Sequence, residues 1–75
     1  MKVLVKVIGP LIYKTGFSEK DLDLPPRTTV AELVTIIGIP ADRPRITTRN
    51  GKAVLPEDEI EEGDKIAVSP IYSGG

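Results

Sequence analysis

Thr29-Val30-Ala31-Glu32-Leu33-Val34-Thr35-Ile36-Ile37-Gly38 is the stretch that decides the fold. Val30, Leu33, Val34 and Ile37 recur at i, i+3, i+4 and i+7, which lines one face of a helix with apolar side chains. Thr29 and Glu32 stand at capping-box spacing, three residues apart, so the helix is predicted to begin there. Pro25-Pro26 forbids helix before Thr28, and Gly38 with Pro40 ends it. A single amphipathic helix has one apolar stripe, and that stripe needs a sheet to cover.

The sequence on either side supplies strands. Residues 1–8, Met-Lys-Val-Leu-Val-Lys-Val-Ile, alternate: Val3, Val5 and Val7 share one face, while Lys2, Leu4, Lys6 and Ile8 share the other. Gly9-Pro10 stops this strand and residues 11–18 read as a loop. Residues 19–24 then have apolar positions two apart and return antiparallel to the first strand. Beyond the helix, residues 45–49 and 52–54 flank Asn50-Gly51, the signature of a hairpin on a type I′ turn. Residues 55–62 form an acidic connection, Gly63-Asp64 turns the chain, and residues 65–69 make a last strand with Ile66 and Val68 pointing together. The order is strand, strand, helix, two short strands, strand. One helix covering one face of a mixed sheet of about five strands predicts an α+β, β-grasp domain, with the first and last strands parallel and adjacent at its centre. We find no repeat or linker, and expect one domain over residues 1–75, with a flexible tail at about 72–75.

Composition narrows the chemistry. Seventy-five residues without Cys or His hold no thiol nucleophile, disulfide or imidazole base, and no zinc site is expected. Ten basic against 11 acidic residues give a net charge of −1, which provides no field to hold nucleic acid or an anionic membrane. No apolar run approaches a membrane span, and Lys6 and Lys14 interrupt any signal-peptide core. A soluble, cytoplasmic protein is expected.

The chain stops at Ile71-Tyr72-Ser73-Gly74-Gly75. Two glycines are thin enough to thread a slot that a larger residue would block, so the terminal carboxylate can itself be a substrate. A frayed end is the plain alternative.

Three segments resemble the ThiS/MoaD family of ubiquitin-like sulfur carriers: the opening Met1-Lys2-Val3-Leu4-Val5-Lys6-Val7; Leu24-Pro25-Pro26-Arg27-Thr28-Thr29-Val30-Ala31-Glu32-Leu33 at the helix entry; and Ile60-Glu61-Glu62-Gly63-Asp64-Lys65-Ile66-Ala67-Val68-Ser69-Pro70 leading to Gly74-Gly75. The resemblance implies that the carboxylate of Gly75 is adenylated by an E1-like adenylyltransferase using ATP and Mg²⁺. A sulfur donor then converts the acyl-adenylate to a thiocarboxylate. It implies a carrier with no catalytic residue and no bound cofactor or metal, whose tail residues Ile71, Tyr72, Ser73 and Gly74 are recognised by the enzyme. The acceptor would be a synthase, either the molybdopterin synthase large subunit or thiazole synthase. The extended loop at residues 10–18 points towards MoaD, while Ile71-Tyr72-Ser73 departs from the Pro-rich tail approach usual there.

Two rival classes use the same residues differently. A protein modifier would be joined through Gly75 to lysines, whereas a non-covalent binding module would not need the tail. Leu4 and Ile8, pointing away from the valine face, together with Ala67 form a candidate docking patch for a partner enzyme. Arg43, Arg45, Arg49 and Lys52 read as a solvated hairpin without an aromatic residue to stack a base. The acids from Glu57 to Asp64 read as a surface for solubility or a basic partner, without the spacing of a calcium loop.

Overall fold

The structure, a computed structural model, describes residues 1–40 and 45–71. Five strands, β1 (Lys2–Val7), β2 (Glu19–Asp23), β3 (Arg45–Arg49), β4 (Lys52–Ala53) and β5 (Lys65–Pro70), form one sheet in the order β2-β1-β5-β3-β4. β1 and β5 are parallel neighbours, with Val5 beside Ile66 and Val7 beside Val68, and every other pairing is antiparallel. This is the expected β-grasp.

The alternation read from the sequence decides which side of the sheet is dry. Val3, Val5 and Val7 of β1, Ile66 and Val68 of β5, and Thr47 of β3 are buried on the inner face. Val30, Leu33 and Val34 of the main helix, with Ile37 at its C-cap, cover them. Burial of such apolar area is the main favourable term available to a domain this small.

Both helices are fixed by local chemistry. The short one begins as a 3-10 turn at Gly9–Leu11 and continues as α1 (Ile12–Thr15). The expected loop at residues 11–18 is therefore partly helical. Pro10 supplies a helical φ at the first turn, and the buried Leu11 pins that turn to the core. Four residues are too few to show a helical period, so the sequence carried no periodic signal here.

The main helix is α2 (Val30–Ile36), and each of its first three N–H groups has a partner. Val30 donates to the Asp58 carbonyl at 2.9 Å and Ala31 to that of Pro56 at 2.9 Å, while Glu32 donates to Thr29 Oγ1 at 3.2 Å. The connection after β4 thus satisfies donors that a helix start leaves open. In return, Glu32 Oε1 accepts from the Thr29 N–H at 3.0 Å, completing the capping box. At the other end Gly38 adopts φ 94, its N–H donates to Thr35, and the Ile39 N–H donates to Val34. This 6→1 and 5→2 pair is a Schellman motif, with Ile39 driven into the core. A side chain at Gly38 would be strained, and its Cβ would stand 3.4 Å from the Lys14 carbonyl.

Candidate functional site

β5 is the strand that leads to the tail, and it is bonded along both edges, to β1 and to β3. Its start is fixed by a small polar network. Asn50 and Gly51 turn the β3–β4 hairpin with φ 51 and φ 86, as the Asn-Gly pair predicts for a type I′ turn. The Asn50 backbone N–H donates to the Lys65 carbonyl at 2.8 Å, and the Lys65 N–H donates to Asn50 Oδ1 at 2.9 Å. Asn50 Nδ2 donates to Asp64 Oδ1 at 3.2 Å, and Asp64 Oδ2 accepts from the Glu61 N–H at 2.8 Å. Arg49 Nε lies 3.8 Å from the same carboxylate oxygen, while Arg49 Nη1 donates to the Glu59 carbonyl at 2.7 Å.

These contacts correct the sequence reading of the charges. Arg49 is not a solvated hairpin cation: it ties β3 to the acidic connection. Asp64 is buried and belongs to the turn before β5. Asp58 accepts from the Leu55 N–H at 2.9 Å, and both Glu62 carboxylate oxygens lie 3.1 Å from the Lys2 N–H that donates to them. Three of the clustered acids therefore hold backbone donors. Arg43 lies outside the described residues.

The outer sheet face carries the candidate docking residues. Register places them in rows across the strands: Leu4 beside Lys65, then Lys6 beside Ala67 and Thr48, then Ser69 beside Ile46. Leu4 and Ala67 border one shallow depression with Lys6, Thr48 and Lys65. Leu4 and Ala67 lie on the face opposite the buried valines and are half-buried. Ile8 follows β1 at the other end of the face, 47% exposed, with Lys6 between it and Leu4. The three residues thus share a side of the sheet without forming one continuous patch. Ile46, also 47% exposed, was missed; the period-two pattern of residues 45–49 puts it on the face opposite Thr47 and could have found it.

Ile71 is 50% exposed just beyond β5. Tyr72, Ser73, Gly74 and Gly75 lie outside the described residues. Among the described residues, no cluster of three or more metal-ligating side chains is found, and no helix is long and apolar enough to cross a membrane. The Thr29 N–H, and after it the Thr29 hydroxyl, hold the fully exposed Glu32 below its ordinary pKa, which ties that shift to the helix cap.

With this geometry in view, the family comparison is direct: the model of the ThiS family matches residues 5–75. The chain belongs to the ThiS family. Small ubiquitin-like proteins of the ThiS and MoaD kind are generally carriers rather than enzymes and work with E1-like enzymes and synthases. Solved structures agree on the fold of this ThiS-family chain. SAMP1 from Haloferax volcanii is 23% identical with a TM-score of 0.77, all of both chains being covered. A putative molybdopterin converting factor, subunit 1, from Pyrococcus furiosus is 25% identical with a TM-score of 0.77, over 92% of this chain and 95% of that one. The Caldiarchaeum subterraneum ubiquitin is 22% identical with a TM-score of 0.63, over 100% and 98%.

Proposed function

We propose that the chain is a cytoplasmic sulfur carrier whose reactive group is the Gly75 carboxylate. On an E1-like enzyme the carboxylate attacks the α-phosphorus of Mg²⁺-bound ATP, releasing pyrophosphate. The carboxylate itself resists nucleophiles, but the acyl-adenylate has a good leaving group, so a sulfur donor displaces AMP and leaves a thiocarboxylate. The carrier needs no base or nucleophile of its own. The observation that carries this reading is the family match through residue 75, beyond a strand, β5, that is bonded on both edges. Residues 71–74 are assigned to recognition by the enzyme's slot, and the outer face with Leu4, Ala67 and Ile8 to its docking surface.

The likeness to a putative molybdopterin converting factor subunit favours a molybdopterin synthase large subunit over thiazole synthase as the sulfur acceptor. The likeness to SAMP1, a small archaeal modifier protein, motivates a second reading in which the same activated Gly75 is joined to lysines. Both readings require adenylation, which pyrophosphate exchange into ATP measures. The full chain is expected to stimulate exchange by its activating enzyme, and a chain lacking Gly75 is not. Equal stimulation by both would overturn the proposal.

A further inference from the structure

The Asn50-Gly51 turn holds a chemistry that neither the family nor the tail requires. An asparagine followed by glycine can modify itself. The Gly51 backbone nitrogen attacks Cγ of Asn50; the N–Cγ bond forms, the Cγ–Nδ2 bond breaks, and the nitrogen's proton leaves with the amide as ammonia. Water then opens the succinimide at one carbonyl or the other, giving aspartate or isoaspartate.

Gly51 offers no steric defence, since even a Cβ built there would meet nothing within 4 Å, and Asn50 is exposed to the water the second step needs. What restrains the reaction is the side-chain amide's own bonding: Nδ2 donates to Asp64 at 3.2 Å while Oδ1 accepts from Lys65 at 2.9 Å. While both bonds hold, Cγ is not free to turn towards the Gly51 nitrogen.

We propose that Asn50 is a deamidation site gated by Asp64, and that its modification loosens the start of β5. A carboxylate at position 50 has no proton for Asp64 and stands against a second carboxylate across what was a 3.2 Å hydrogen bond. An isoaspartate further lengthens the backbone of a two-residue turn and misplaces the N–H that donates to the Lys65 carbonyl. Opening is reversible before the reaction and not after it. The modified chain is an aged form, altered at the root of the strand that leads to Gly75.

The reaction is followed by mass spectrometry of the intact chain at mildly alkaline pH, with the modified residue located by peptide mapping. Deamidation at Asn50 is expected to run about tenfold or more slower in the folded chain than in urea, because it must await local opening. Equal rates would overturn the gate. Asn50→Asp is expected to lower the unfolding midpoint by roughly 5–10 °C. Adding Asp64→Asn swaps donor and acceptor and is expected to recover at least half of that loss. If Asn50→Asp does not fold, recovery of cooperative unfolding in the double variant is the same test. An unchanged midpoint in the single variant, or no recovery in the double, would overturn the coupling.

Discussion

Val5 and Ile66 lie side by side in parallel register at the centre of the sheet, 0% and 1% exposed. They join the first strand to the last, so one contact closes the chain on itself and sets the direction in which the last strand leaves the core. Ile66→Val should cost about 1 kcal/mol and Ile66→Ala about 2–5 kcal/mol. Against a total of roughly 5–15 kcal/mol for a domain, the second change should leave the protein marginal. Urea titration measures both. Equal, small losses would mean that β5 is not the central strand.

Thr29→Ala removes the cap from α2 and should cost about 1 kcal/mol. Glu32 adds a pH dependence whose sign follows from its lowered pKa. Its contribution is present above the ordinary glutamate value of 4.5 and is lost as pH falls through the lower, folded value. The difference in unfolding midpoint between wild type and Glu32→Gln should therefore shrink as the pH is taken well below 4.5. A difference that grows on acidification would contradict the reciprocal cap.

Arg49→Met keeps the apolar stem and loses the bond to the Glu59 carbonyl; with the side chain a third exposed, a cost of about 1–2 kcal/mol is expected. Lys52→Met, on the same hairpin, should stay within about 0.5 kcal/mol. Chemical denaturation of the two variants compares them. Equal effects would restore the solvated-hairpin reading.

Much of the fold was legible because its elements announce themselves locally. The β1 alternation, the i, i+3, i+4, i+7 series of α2 and the Asn-Gly turn each fix an element within a few residues. Leu11, Ile39 and Ile60 were not recognised as core, although all three are buried. Each is a lone apolar residue in a segment without period, and only tertiary closure shows where it points. The charges were hardest: Asp64, Asp58 and Glu62 look like a solvated acidic run, and their backbone partners come from the fold rather than from spacing. For the candidate site, alternation was enough to read the side of the sheet for Leu4 and Ile8 and to put Lys6 between them, whereas the placing of Ala67 beside Lys6 and of Lys65 beside Leu4 appears only with the strands in register.

The outer face can be tested without disturbing the core. Ile46→Ser, at an exposed position, should change stability by no more than about 0.5 kcal/mol. Leu4→Ser, half-buried, should cost somewhat more while leaving the circular dichroism spectrum unchanged. If this face docks on the activating enzyme, each should weaken binding in a titration by about tenfold, the equivalent of 1.4 kcal/mol. Unchanged affinity in both folded variants would remove the face from the interface.

The central claim is that sulfur is carried on Gly75, and intact-mass spectrometry tests it most directly. Incubated with ATP, Mg²⁺, the cognate activating enzyme and a sulfur donor, the full chain should gain the mass of an oxygen-to-sulfur exchange at its C-terminal carboxylate. A chain without Gly75 should gain nothing, because its carboxylate is set back by up to about 3.5 Å, and a misplacement of roughly 1 Å already costs on the order of 10²-fold in rate. Thiocarboxylate formed equally well in the shortened chain, or no exchange in the intact one, would contradict the account.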